Sequence, residues 1–183
     1  MARQDVQVLI LRPLAIVAGL LGFVLVAPAG QGQAAVAAVP PLTVAAQPGQ
    51  VQGLRLWTDC VDRTNFVRLA NGLAALTIDV RAATAATAHS AYQARIQKMT
   101  HDQTAVGFAD AGQRLRTAGY QWSTYGENVA AGQGDCATVM KAWMDSKGHR
   151  SNILNPSYRH IGMGMVVGAN GVRYWTMDLA AGG

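Results

Sequence analysis

An α+β fold with an antiparallel sheet is the class this sequence predicts, and two observations carry it. Helical patterning fills the middle of the chain, whereas period-two alternation appears only near its end. There Ile161, Met163, Met165 and Val167 alternate with Gly162, Gly164 and Val166, and Asn170-Gly171 joins this run to residues 172–178. An Asn-Gly pair between two such runs is a strong hairpin signal. No internal repeat is visible.

The elements follow in order. Residues 58–72, TDCVDRTNFVRLANG, read as a first helix with Thr58 or Asp59 as N-cap and Gly72 as its stop. Residues 80–99 form an alanine-rich second helix whose apolar stripe runs Ala85, Ala88, Tyr92, Ile96 and Met99, with His89 on the same stripe. A short third helix fits AGQRLRTAG and ends at Gly119. The fourth opens on Asp135 as N-cap, turns Val139, Met140, Trp143 and Met144 inward, and stops at Gly148. Gly162 and Gly164 share one strand face, which predicts close approach of a helix or backbone to the sheet.

The chain has 183 residues, enough for one ordinary domain. Arg3 and Arg12 precede an apolar run that closes on Ala27-Pro28-Ala29, the pattern of a secretory signal peptide over 1–29. An uncleaved membrane anchor is the alternative. The uninterrupted run, Leu14–Ala27, has 14 residues, and a comfortable membrane span needs about 20. Residues 30–54 are rich in Ala, Pro, Gln and Gly, and Pro40-Pro41 and Pro48-Gly49 read as breaks, so this stretch is expected to be a linker. The folded domain is placed at 55–183.

Two cysteines, Cys60 and Cys136, are present, each at an expected helix start. In an exported protein the simplest pairing is one disulfide, with two buried thiols as the alternative. The net charge of +5 falls to about +4 once Arg3, Arg12 and Asp5 leave with the leader. Its basic residues are scattered, without a run or interleaved aromatics, which argues against a nucleic-acid partner. Weak attraction to an anionic wall or membrane surface stays allowed.

Glu127 is the only glutamate of the chain and sits in STYGENVAAG, read as a Gly-Glu-Asn turn. The histidines are His89, His101, His149 and His160, none in a short H-x-x-x-H metal signature, and the cysteines lack zinc-ligand spacing. Ser90 follows His89 on one helix, so the two side chains diverge by about 100°, and no Gly-x-Ser-x-Gly elbow exists. A serine hydrolase is therefore disfavoured. His101 reads as a capping or packing residue and His160 as exposed.

TAHSAYQARIQKMTHD, YGENVAAG and AWMDSKGHRSNIL, followed by IGMGMV and YWTMD, together resemble the CAP superfamily, also called the SCP or pathogenesis-related-1 domain. The resemblance covers about residues 58–179 and fits the bacterial secreted branch, whose signature stands as Trp143, Ser146, Gly148, His149, Arg150, Asn152, Ile153 and Leu154. Asn65, Arg68 and Gly72-Leu73 also fit. The resemblance implies an α-β-α sandwich with helices on both faces of a small antiparallel sheet. It also implies a cleft of two histidines and two acidic residues, carried over onto His89, Glu127 and His149. Where animal and plant members place a second glutamate, this chain has Ser146, and adjacent Asp145 is rotated about 100° away along a helix.

In such a cleft His89 and His149 are candidate ligands for zinc or another divalent cation, with Glu127 orienting an imidazole or acting as general base. Three functions compete. The favoured one is a secreted module that binds a small hydrophobic or lipid-like ligand or a component of the cell envelope or host. The second is a metal-dependent hydrolase or peptidase built on His89, His149 and Glu127. A third is a structural hydrogen-bond cluster formed by the same residues.

Overall fold

Two layers of helices enclose a four-stranded sheet, and each strand's alternation decides which layer a side chain meets. The computed structural model describes residues 48–183, with side chains from residue 57 onward. The expected leader, 1–29, and the linker up to residue 47 lie outside the described residues.

Helix α1 spans Pro48–Ala70 and begins well before the expected cap. Residues 48–54, expected as linker, are helical because a proline in the first helical turn removes only an N–H that has no intrahelical acceptor. The other end behaves as expected. Gly72 adopts φ +72°, and Leu73 donates back to the Arg68 carbonyl at 3.0 Å, closing the helix. Arg68 itself is buried and donates to the carbonyls of Ala74, Ile153 and Asn155, tying α1 to the segment that follows the fifth helix.

After the two-residue strand β1, Thr77–Ile78, helix α2 spans Val80–Ile96. Asp79 caps it by accepting from the N–H groups of Arg81 and Ala82. Its buried side is Ala82, Ala83, Ala85, Ala86, His89, Ser90, Gln93 and Ala94, whereas Ile96 and Met99 of the expected stripe are exposed. The reason lies in the strand beneath. A Cβ at Gly162 would overlap the backbone of Ala82 and Ala83, and one at Gly164 the backbone of Ala86. The helix therefore sits so close that only small or hydrogen-bonded side chains fit under it.

A 3-10 turn at Thr104–Val106 leads to α3, Ala111–Thr117, capped by Asp110. Strand β2 follows at Trp122–Ala131, where a turn was expected around Glu127. Both faces of β2 are covered, so its sequence lacks the polar-apolar alternation that marks a half-exposed strand. Helix α4, Cys136–Asp145, starts with a reciprocal capping box between Asp135 and Thr138. It ends at Ser146, whose extended backbone also opens α5, Lys147–Ile153. The expected stop at Gly148 is thus inside α5, and the break falls two residues earlier.

The expected hairpin joins β3, His160–Val167, to β4, Arg173–Gly182, with Gly171 at φ +74° in the turn. The strand order is β1-β3-β4-β2; the long strands pair antiparallel and short β1 runs parallel to β3. On one face Ile161, Met163, Trp175, Met177 and Leu179 pack with Val139, Met140, Trp143 and Ile153 of α4 and α5. On the other, Ala180 meets Ala82, Ala85, Leu115 and Tyr120. This is the α-β-α sandwich. Edge strand β2 is blunted by side chains: Trp143 donates to the Val129 carbonyl and Asn152 to that of Glu127.

Cys60 and Cys136 form a disulfide across 76 residues. Cys136 begins α4 as expected, but Cys60 lies inside α1, since that helix starts earlier. Closing such a loop stabilises the fold by about 4 kcal/mol in chain-entropy terms.

Candidate functional site

Strand pleating turns Glu127 toward α2 and α3, where its side chain is only 5% exposed. Its Oε1 bonds Nδ1 of His101 at 2.8 Å, and its Oε2 accepts from Nη2 of the buried Arg114 on α3. Burial works to raise the Glu127 carboxyl, but the His101 hydrogen bond and the Arg114 charge outweigh it and hold the group below its usual range. Glu127 is therefore an anion with both oxygens engaged. His101, expected as a capping or packing residue, is its direct partner on the solvent side, with 59% of its side chain exposed.

His89 lies deeper and is fully buried. Its Nε2 approaches Glu127 Oε2 only to 3.8 Å and bonds the Thr100 carbonyl at 2.8 Å instead. Its Nδ1 meets the Gln103 side-chain amide at 2.7 Å. A carbonyl oxygen only accepts, so Nε2 carries a proton and offers no lone pair. In this arrangement His89 does not fit a metal ligand. Its hydrogen bonds hold the 97–103 loop against α2.

His149 sits on α5, half-buried, with its backbone carbonyl accepting from Asn128 at 3.1 Å. Burial first, and then the neighbouring His101 charge, lower its pKa. Ser146 occupies the α4–α5 break, and its side chain makes no capping hydrogen bond to α5. Among those residues no cluster of three or more His, Cys, Asp and Glu side chains could hold a metal ion.

Gly126 and Asn128 face the opposite layer from Glu127. A Cβ at Gly126 would overlap the Tyr158 hydroxyl and crowd Asn152, so this glycine admits Tyr158 and α5 rather than the histidines. Asn128 also accepts from Asn152 at 2.9 Å. His160, expected to be exposed, is half-buried and bonds the Tyr120 hydroxyl at 2.6 Å.

Sequence reasoning missed Arg114 and Asp178. Asp178 is the cross-strand partner of Glu127, is completely buried, and has neither carboxyl oxygen hydrogen-bonded among the described residues. Burial and the Glu127 charge push its carboxyl well above the usual range against the pull of Arg114. The available signal was its place on the alternating YWTMD strand. Arg114 had none, because a single arginine in a short helix reads as surface.

Two concave regions lie near these elements. A cleft of about 420 Å³ is lined by His101, Asp102, Asp110, Tyr125 and Glu127. A larger groove of about 540 Å³ runs between α1 and α4, lined by Phe66, Val67, Ala137, Met140 and Met144. Asp62, Arg63 and Lys141 add charge to it, and Phe66 is 74% exposed.

Residues 61–179 match the family model described as CAP, the cysteine-rich secretory protein family. The chain is 40% identical over 106 residues to the uncharacterized protein YkwD of Bacillus subtilis, covering 58% of this chain and 40% of that protein. It is 31% identical over 105 residues to the uncharacterized membrane protein YlbC of the same organism, covering 57% of this chain and 30% of that one. It thus spans well under half the length of these curated relatives. Among solved structures it is similar to an extracellular protein containing a SCP domain from Bacillus anthracis, at TM-score 0.65 and 25% identity over 74% of this chain and 44% of that one. An outer surface protein from Borrelia burgdorferi shares the fold at TM-score 0.62 and 17% identity, over 69% of this chain and 92% of that one.

Proposed function

The chain belongs to the CAP family, and from that premise we propose that it is an extracellular ligand-binding module whose α1–α4 groove takes a small lipid-like ligand. The observation that carries this reading is the groove itself. Phe66, Val67, Met140 and Met144 present apolar and thioether surface to a volume of about 540 Å³, within the range of small-molecule sites. A phenylalanine left 74% exposed beside two methionines gains about 2 kcal/mol when a ligand covers it. Extracellular placement is supported by the basic-apolar leader, by the disulfide, and by the extracellular protein from B. anthracis that the chain resembles. Envelope or host components that display acyl chains are the partners this chemistry suits.

The hydrolase reading draws less support. A general base works best with a pKa near the working pH, and the His101 hydrogen bond and the Arg114 charge hold Glu127 below its usual range despite its burial. Using His89 Nε2 as a ligand would break its bond to the Thr100 carbonyl. The deciding experiment titrates the full chain with an environment-sensitive fluorescent fatty acid. Saturable one-to-one binding, weakened about tenfold or more by Phe66→Asp, is the expected result. No saturable binding, or binding indifferent to Phe66→Asp and Met140→Asp, overturns the proposal.

A further inference from the structure

We propose that Glu127 and Asp178 form one cross-strand carboxyl pair that carries a single negative charge against Arg114, with the pair's proton held on Asp178. The geometry begins with register. Glu127 and Asp178 are directly opposed on β2 and β4, so their side chains leave the sheet on the same face. The third strand contributes no side chain there, because the β3 residue opposite Asp178 is Gly162. The charged and titratable groups turned toward the pair are Arg114 from α3, His89 from α2 and His101 from the loop after α2. Of these, Arg114 is buried, and its Nη2 is committed to Glu127.

One buried guanidinium balances one carboxylate. A second anion on Asp178 would have neither a hydrogen bond among the described residues nor exposure to bulk solvent, since both its oxygens are buried. Two carboxyl groups sharing one site do not both ionise. Glu127 wins the charge because it holds the bonds to His101 and Arg114, and Asp178 keeps the proton. With a neutral side chain in place of Glu127, the repulsion is gone and the Arg114 charge acts on Asp178 alone, which favours its ionisation. This inference is independent of the α1–α4 groove.

The test labels aspartate carboxyl carbons in the full chain and follows Asp178 by NMR against pH. In the wild type its resonance is expected to stay in the protonated position after the exposed aspartates, near about pH 4, have titrated. Glu127→Gln is expected to lower the Asp178 midpoint by about one pH unit or more, a tenfold change in proton affinity. An Asp178 that titrates together with the exposed aspartates in the wild type, or a midpoint unmoved by Glu127→Gln, overturns the proposal. Asp178→Asn keeps it testable if Glu127→Gln does not fold. Folded wild type holds a proton that the unfolded chain releases above about pH 4, so the folding constant of Asp178→Asn relative to wild type rises about tenfold per pH unit there. A ratio independent of pH between about 4 and 6 also overturns the pair.

Discussion

Gly162 of β3 lies directly against the backbone of Ala82 in α2, with no room for a Cβ between them. The contact sets the depth at which α2 rides on the sheet, and with it the positions of His89, Ser90 and Gln93. Ser90 and Gln93 both reach Thr176 of β4, at 2.9 and 3.1 Å.

Gly162→Ala is therefore expected to destabilise the protein by about 3 kcal/mol or more, because rigid backbone cannot yield as a side chain would. Gly164→Ala should act alike through Ala86. Gly134→Ala, where a Cβ meets nothing within 4 Å, serves as the control and should change little. Thermal melts of the three variants check the ranking. Equal melting temperatures for Gly162→Ala and Gly134→Ala would contradict it.

The same contact explains what the sequence made legible. Paired glycines on an alternating strand announced close packing, and Asn170-Gly171 announced the hairpin, because both signals are local. Asp135 announced a helix start for the same reason. The α2 stripe was misread in part because period 3.6 selected bulky apolar residues such as Ile96, while the sheet accepts only small or hydrogen-bonded side chains. Strand β2 was missed because both of its faces are covered. That His101 rather than His89 bonds Glu127 directly was missed for a related cause. Helix periodicity marks burial, and the deeply buried histidine is the one whose ring nitrogens are consumed by hydrogen bonds.

His89→Ala is expected to cost about 2–4 kcal/mol, from the cavity and from the partners of two lost hydrogen bonds. Zinc titration by calorimetry examines the competing role. Wild type and His89→Gln should give the same heats, and a saturable heat that disappears with His89 would return this residue to metal binding.

Glu127 gives a pH signature opposite in sign to that of Asp178. Its folded pKa is lowered, so its stabilisation is present above the unfolded value of about 4.3 and is lost as pH falls through the folded value. Wild type should accordingly lose stability relative to Glu127→Gln on acidification below about pH 4.5. Denaturant unfolding from neutral pH to about pH 3 measures the difference. A gap that stays constant across that range would mean the carboxylate is not preferentially ionised in the fold.

Arg68 presents a buried cation held by carbonyls through Nε and Nη1, with Nη2 left without a partner among the described residues. Desolvation lowers its pKa, and its fork spans Ala74, Ile153 and Asn155 at 2.7–2.9 Å. A lysine brings the same charge but cannot reproduce the planar fork, so Arg68→Lys leaves at least one buried carbonyl unpaired. The expected loss is about 2–4 kcal/mol. Because two of the three carbonyls belong to the end of α5, the loosening should be local as well as global. Amide exchange should accelerate at residues 153–155 in Arg68→Lys under conditions where the strands β3 and β4 remain protected. Uniform acceleration across the sheet would instead mean that Arg68 supports the whole fold rather than the junction of α1 with α5.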